Sequence, residues 1–285
     1  MSPASEQYAV AIGTFDGVHL GHRRVVEGAL ATGLPVRALT FHPHPRGVVS
    51  GNLVELISTL ERRLELLAEL GVAETTVVDF TLELAAQEAE VFAAERLADA
   101  AVIVAGENFR FGRGRAGDLE LLERLGHEVR AVPLLDGVSS SEIRRRLHAG
   151  EVVEAAGLLG RPPELDGVVV AGDQRGGTLG YPTANLSVDP ALLVPQYGIY
   201  AGAAHAGDVP RHRAAISIGL NPHYGGDERR IEPHLLDFEG DLYGRRLVVE
   251  LWQRLRDEQA FESEAELVDQ IARDVAATRE AVRPN

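Results

Sequence analysis

Residues 8 to 31 read "YAVAIGTFDGVHLGHRRVVEGALA", an apolar stretch, a glycine-rich turn and an amphipathic stretch in direct succession. The apolar residues 8–12 predict a buried strand, and the pattern from residue 20 predicts a helix. The turn between them puts backbone N–H groups at a helix N-terminus, where phosphate binds favourably. Its glycine spacing matches neither GxGxxG nor a P-loop, so the sequence predicts a phosphate site of another kind.

The alternation of strand and helix continues through the first half of the chain. Further Val-rich segments predict strands at 36–41, 75–80, 100–106 and 127–134. Helical patterns lie at 20–31, 59–70, 88–97 and 118–125. This order predicts an α/β fold with a doubly wound, Rossmann-like parallel sheet, whose ligands bind at the carboxyl ends of the strands.

The second half of the chain has a different sequence pattern. Strand-like segments at 167–172, 197–204, 213–220, 230–238 and 245–251 are separated by Gly, Pro and Asp turns, and one helical pattern covers about 263–282. We predict a small antiparallel β-barrel with a terminal helix. The segment "AAGLLGRPPELDG" ends a helix at Gly160 and continues with prolines, which predicts domains at 1–158 and 159–285.

The composition excludes several kinds of chemistry. The 285 residues include no Cys and no Lys, because all 28 basic residues are Arg. Thiolate nucleophiles, Schiff bases and the P-loop lysine are therefore excluded. With a net charge of -15, no basic arm, no long apolar run and no signal-peptide pattern, we expect a cytoplasmic protein that binds neither nucleic acid nor membrane. A homo-oligomer stays compatible with the sequence.

Polar groups follow several strands of the predicted sheet. His19 and His22 share one face of a helical first turn, beside Asp16, and could donate hydrogen bonds to a phosphoryl group. The alternative is a tight turn with two surface histidines. Asn108 follows the fourth strand and can contact a nucleobase or ribose, while Phe109 stacks on a ligand or simply packs.

Two further segments border the same edge. "TFHPHPRGVV" (40–49) ends the second strand and contains His44 in an HxH pattern, a weak metal signal without other ligands nearby. In "SSSEIRRRLHAG" (139–150), Ser139 and Glu142 form a capping-box pattern. Serines and Arg144 at a helix N-terminus also suit a polyphosphate.

The second half offers a metal site and a base. Thr183 and Asn185 lie two apart in "PTAN", so on an extended segment they point to one side and could bind Mg²⁺. Glu232 and His234 share one face of a strand that contains Pro233. A carboxylate near the metal could accept a proton from a hydroxyl, although a solvated strand residue is the plainer interpretation of Glu232.

Taken together, these motifs resemble the bacterial bifunctional riboflavin kinase and FMN adenylyltransferase (FAD synthetase) family. The shared segments, in order, are "GTFDGVHLGH", "TFHPHPR", "TLERRLELL", "GENFRFGRGRAGD", "SSSEIR", "LLGRP", "TLGYPTANL", "GIYAG", "NPHYGG" and "IEPHLLDFEGDLYG". They extend from about residue 8 to 280. PTAN with its glycine-rich lead and the DLYG segment are specific, whereas HxGH is common to many nucleotidyltransferases.

The resemblance implies two activities and assigns residues to each. Domain 1–158 would adenylylate FMN to FAD, and domain 159–285 would phosphorylate riboflavin to FMN, with ATP as co-substrate, Mg²⁺ as cofactor and flavins as substrates and products. It implies His19, His22 and Glu232 as catalytic residues, and Thr183 and Asn185 as metal ligands. The implied ATP and phosphate contacts are Gly13, Phe15, Asp16, Gly17, Ser140, Ser141, Arg144, Gly177 and Gly180, and the implied nucleotide or flavin pocket is Asn108, Phe109 and His44.

Two departures from the family pattern leave alternatives open. His42 stands where the family has an acid, and His223 stands where it has threonine. The first changes the adenylyltransferase pocket, and the second lies close to the kinase site. A chain with only one active half, or a flavin-binding module without turnover, therefore remains an alternative.

Overall fold

A computed structural model describes residues 7–172, 180–207, 209–220 and 229–285. The strands are Tyr8–Ile12 (β1), Val36–His42 (β2), Glu74–Asp79 (β3), Ala100–Gly106 (β4), Glu128–Val132 (β5), Glu164–Val170 (β6), Asn185–Val188 (β7), Gly198–Ala206 (β8), Val209–Leu220 (β9), Arg229–Leu235 (β10) and Arg246–Arg256 (β11). The α-helices are Leu20–Leu30 (α1), Pro45–Ser50 (α2), Leu60–Glu69 (α3), Leu82–Ala85 (α4), Ala89–Arg96 (α5), Leu119–Arg124 (α6), Ser140–His148 (α7), Val152–Leu159 (α8) and Glu264–Glu280 (α9).

The first compact unit is built on a parallel sheet with strand order β3-β2-β1-β4-β5. Central strand β1 is buried on both faces, because Ala9 and Ala11 pack in one apolar cluster and Val10 and Ile12 in another. The chain passes from β1 outward to β3 and then returns to the other side of β1. This reversal places the loops after β1 and β4 side by side, where ligands of such sheets bind.

The second unit is an antiparallel sheet with strand order β10-β9-β8-β11-β6-β7. Its two ends meet, because the Ala184 N–H just before β7 donates to the Pro233 carbonyl of β10 at 3.0 Å. The sheet is therefore almost closed into a barrel, with α9 at the end of the chain. The predicted fold class is confirmed for both halves.

The contacts between Cα atoms divide the chain into two compact units. Residues 1–56 and 60–140 form one unit, and residues 57–59 and 141–285 form the other. Helix α8 packs its Val152 and Leu159 in the same apolar cluster as the barrel. The domain boundary after residue 158 stays a prediction.

The C-terminal segment is attached to the barrel by charged groups. Glu250, 1% exposed, accepts hydrogen bonds from Arg283 and Trp252 and lies 2.9 Å from Arg211. Burial by itself would raise the pKa of Glu250, but its bonds from Arg283 and Trp252 outweigh burial and lower the pKa. The carboxylate therefore stays charged and fixes the end of the chain on β11.

Candidate active sites

The turn between β1 and α1 has a strained backbone. Phe15 and Val18 have φ angles of 50° and 40°, and Gly17 has 76°. A left-handed conformation is rare for residues with a side chain and is an outlier for β-branched valine. Such strain persists only where the surrounding structure imposes it, and it concentrates at functional sites.

Buried contacts impose this conformation. The Thr40 hydroxyl donates to the Thr14 carbonyl at 3.0 Å. Arg63 of α3, 1% exposed, donates to the Phe41 carbonyl at 3.2 Å and lies 4.0 Å from the fully buried Asp16 carboxylate. Burial lowers the pKa of Arg63, while the Asp16 charge opposes that shift. The turn is thus fixed from behind by a buried charge pair.

His19 and His22 lie against one another at the start of α1. His19 Nδ1 accepts a hydrogen bond from the His22 backbone N–H at 3.3 Å, and the two rings stack with centroids 3.6 Å apart. Because Nδ1 accepts, Nε2 is the His19 nitrogen that can donate to a ligand. A Cβ on Gly21 would lie 3.1 Å from His19 Cε1, a tight contact, so the glycine in HxGH leaves space for the His19 ring.

A cavity of about 750 Å³ opens beside this turn in the first unit. The sequence-predicted residues that line it are Gly13, Phe15, His19, His22, His44, Asn108, Phe109 and Ser140. Asp16 and Gly17 belong to the same turn, but they are buried and do not line the cavity. Ser141 and Arg144 follow Ser140 in α7 and group with the second unit, so their predicted phosphate contacts stay predictions.

The lining of the cavity includes both cationic and aromatic side chains. Arg46, Arg110 and Arg115 line it, and no Asp or Glu is among the described lining residues. Phe109 and Phe111 stack on each other with ring centroids 5.5 Å apart. In a chain of net charge -15, an acid-free cavity with three arginines favours an anionic ligand that also has a flat apolar part.

His42, the departure in the second loop, is the last residue of β2. It pairs with Asp79 in the sheet register and precedes a cis bond to Pro43. Its Nδ1 is buried without a hydrogen-bond partner among the described residues, and it does not line the cavity. The altered residue therefore lies behind the loop that presents His44.

In the second unit, the PTAN segment lies alongside β10. Besides the Ala184 bond to Pro233, His234 Nδ1 lies 2.8 Å from the Pro182 carbonyl and donates to it. Two stretches that are about fifty residues apart in sequence, 182–185 and 231–234, are thus joined where the barrel closes. We call this place the seam of the barrel.

The seam presents its polar side chains on one face. Ala184 and Ile231 pack towards the barrel core. Side chains alternate along extended segments, so Thr183, Asn185 and Glu232 point away from that core. The structure therefore brings the predicted metal ligands and the predicted base to the same side of adjoining segments.

The oxygens of this face suit a hard divalent cation. Thr183 offers a hydroxyl and Asn185 an amide oxygen, and Mg²⁺ usually binds to few protein oxygens together with substrate phosphates. The described residues contain no cluster of three or more His, Asp or Glu that could hold a metal without a substrate. Glu232 Oε1 lies 3.5 Å from Arg230.

Gly172, two residues after β6, leaves room for the Asn185 amide. A Cβ built on Gly172 would lie 1.9 Å from Asn185 Nδ2, so the amide occupies the space of a missing side chain. Gly180, in the glycine-rich lead of PTAN, has a left-handed φ of 83°. The predicted contact Gly177 and the substituted residue His223 lie outside the described residues.

The two sites define a class of protein, a nucleotidyltransferase joined to a barrel-type small-molecule kinase. Family models described as FAD synthetase and riboflavin kinase match residues 1–143 and 159–282. The chain belongs to the bifunctional riboflavin kinase/FMN adenylyltransferase family and is therefore a transferase with both domains.

Individual relatives agree with that assignment. The bifunctional riboflavin kinase/FMN adenylyltransferases of Escherichia coli strain K12 and Bacillus subtilis strain 168 are 36% and 33% identical, covering 96% of this chain and 93% and 91% of theirs. A crystal structure from Streptococcus pneumoniae, of a protein named macrolide-efflux protein, has a TM-score of 0.87 at 32% identity over 99% of this chain and 97% of that one. Of the helices described here, none is long and apolar enough to cross a membrane.

Three structural contributions were missed by the sequence analysis. Arg63 occupies an ordinary position in an amphipathic helix, so nothing in the sequence distinguished it as a buried partner of Asp16. Of the cavity arginines, Arg46 lies in α2 after β2, and Arg110 and Arg115 lie in the segment after β4, so only the fold brings the two segments together. Gly172 had a signal, since it ends the predicted strand 167–172, and a glycine in a strand often marks a close approach of another group.

Proposed function

We propose that this chain phosphorylates riboflavin to FMN in the barrel and adenylylates FMN to FAD in the α/β unit, with ATP as the donor in both steps. The observation that carries the proposal is the strained HxGH turn beside a cavity whose described lining includes three arginines and no Asp or Glu. Phosphate groups and a flat ring system are the ligand parts that this cavity suits.

In the adenylyl transfer, an oxygen of the FMN phosphate attacks the α-phosphorus of ATP, and the bond to pyrophosphate breaks. His19 and His22 donate hydrogen bonds to the charge that develops on the phosphoryl oxygens. Ser140, with Ser141 and Arg144, holds the phosphates, together with Gly13 and Phe15 of the turn. Asp16 and Gly17 shape that turn, and Asn108, Phe109 and His44 form the nucleotide and flavin pocket.

In the kinase reaction, the 5′-hydroxyl oxygen of riboflavin attacks the γ-phosphorus of ATP, and the bond to ADP breaks. Glu232 accepts the proton of that hydroxyl. Thr183 and Asn185 hold Mg²⁺, which when bound neutralises phosphate charge. The backbone at Gly177 and Gly180 contacts the ATP phosphates. None of these roles needs a lysine.

The proposal extends to partners and location. The partners are riboflavin, FMN, FAD and ATP, without nucleic acid or membrane, and the location is the cytoplasm. Homo-oligomers are compatible with the proposal, but neither reaction requires a second copy for its chemistry.

One assay tests the proposal. The purified protein is incubated with riboflavin, ATP and Mg²⁺, and flavins are separated by chromatography. We expect FMN followed by FAD, and neither product when a chelator removes the metal. FMN without FAD would show that only the kinase half is active, and flavin binding without any product would favour a binding module.

A substitution at Gly172 tests the placement of Asn185. Gly172→Ala puts a methyl group where the Asn185 amide lies, so the amide must move. Displacing a group that orients a metal site typically costs about 10- to 100-fold in activity, and we expect FMN formation to fall by that factor. FAD formation from added FMN serves as the internal control. An unchanged kinase rate at limiting Mg²⁺ would contradict Asn185 as a ligand.

A further inference from the structure

The loop after β4 contains an arginine in a conformation that favours glycine. Arg115 has a φ of 63° and is the last residue of a 3-10 turn at Arg113–Arg115, before the chain leads to α6. Its neighbours Gly112 and Gly114 have φ angles of 70° and 61°. Of these three positions with a positive φ, two are glycine and one is arginine. Steric clashes of a side chain favour glycine at all three.

The surrounding structure leaves this loop little freedom. Phe111 and Gly117 exchange backbone hydrogen bonds of 3.0 and 2.9 Å across its base. A Cβ on Gly112 or Gly117 would lie 2.6 or 2.7 Å from atoms of Ala89. The positive φ of Arg115 therefore lies in a turn whose two ends are packed closely against Ala89.

The two arginines at the ends of the 3-10 turn have different surroundings. Arg113 forms an ion pair with Glu88, and its backbone N–H donates to the Gln87 carbonyl at 2.7 Å. Arg115 has no hydrogen bond or ion pair from its side chain among the described residues, and it lines the cavity that contains His19 and His22. Its charge is therefore available to a ligand.

We propose that Arg115 is a phosphate-binding residue of the adenylyltransferase cavity, an inference that rests on the adenylyl transfer proposed above. A guanidinium pairs with two phosphate oxygens at once, and this cavity has no carboxylate among its described lining residues to compete for it. The FMN phosphate and the pyrophosphate part of ATP offer the same chemistry, and the test below distinguishes them.

The backbone suggests a variant that removes the charge without a folding penalty. Arg115→Gly relieves the left-handed strain, so we expect an unfolding temperature equal to or above that of the parent protein. Arg115→Lys keeps a charge without the bidentate geometry. Arg113→Gly is the matched control, since it removes the same charge from the same loop at a residue paired with Glu88.

FAD formation from FMN and ATP is measured by steady-state kinetics for all four proteins. We expect Arg115→Gly to lower kcat/KM by about 10- to 100-fold, with Arg115→Lys intermediate and Arg113→Gly within about twofold of the parent. A higher KM for FMN alone identifies the FMN phosphate as the ligand. A higher KM for ATP with weaker inhibition by pyrophosphate identifies the ATP phosphates.

Two kinetic results would overturn the proposal: Arg115→Gly within twofold of the parent for both substrates, or Arg113→Gly with an equal loss. Calorimetric titration with pyrophosphate and with FMN gives a readout that does not need turnover, and equal affinity for both ligands in parent and Arg115→Gly would also overturn it. A parent protein that makes no FAD contradicts the proposed function, whereas an active parent with an unaffected variant contradicts only the role of Arg115.

Discussion

Replacing Glu232 by glutamine is expected to abolish FMN formation while FMN is still converted to FAD. Glutamine keeps the shape of the side chain but cannot accept the proton of the riboflavin hydroxyl. Loss of a general base typically costs about 10²- to 10⁴-fold, so we expect kcat of the kinase to fall by about 10³-fold. The measurement is the rate of FMN appearance from riboflavin, ATP and Mg²⁺.

Two controls make this result specific. Glu239→Gln removes an exposed carboxylate from the same unit and should leave kinase turnover unchanged. FAD formation from added FMN should match that of the parent in both variants. If Glu232→Gln retained more than about a tenth of the kinase rate, another group would have to accept the proton, since a general base contributes at least about 10²-fold.

The second large effect is expected from the stacked histidines. His19→Ala combined with His22→Ala should lower kcat for FAD formation by about 10³-fold or more, because each donor to a developing oxyanion contributes about 10²- to 10³-fold. FMN formation from riboflavin should persist. Both reactions are followed in one chromatographic assay, starting from riboflavin or from FMN.

His19 also caps α1, so its loss carries a structural cost of about 1 kcal/mol that must be separated from chemistry. His19→Asn keeps a side chain that caps helices well but removes the imidazole, and we expect it to lower kcat for FAD formation by about 10²- to 10³-fold, the contribution of one donor. His127→Ala, which changes a histidine that does not line the cavity, should be fully active. An active His19→Asn variant would show that His19 acts only as the N-cap of α1.

Most of the fold could be predicted from local pattern. The strands of the first unit are buried on both faces, and their short Val- and Ala-rich runs are distinctive in sequence. Strand β7, Asn185–Val188, was missed, because four residues after a glycine-rich segment give too little alternation to recognise. Helices α2 and α4, of six and four residues, were missed for the same reason of length.

The candidate sites were predicted unevenly. His19 and His22 could be identified because the strand, the turn and the helix are contiguous. Glu232 had no local signal, and its position beside Thr183 and Asn185 depends on barrel closure, which no short-range pattern encodes. The family resemblance supplied what local chemistry could not.

The backbone hydrogen bond between Ala184 and Pro233 lies both at the closure of the barrel and at the proposed kinase site. Proline has no N–H, so the backbone of Pro233 can only accept here, and Ala184 supplies the backbone donor. Thr183 and Asn185, proposed to bind the metal, flank Ala184, and Glu232, proposed to accept the proton, precedes Pro233. This backbone bond between the PTAN segment and β10 thus lies between the groups proposed for the kinase site. A nucleotide that contacts both the PTAN segment and β10 would hold these two segments together. We therefore expect kinase substrates to stabilise the barrel against unfolding when they bind.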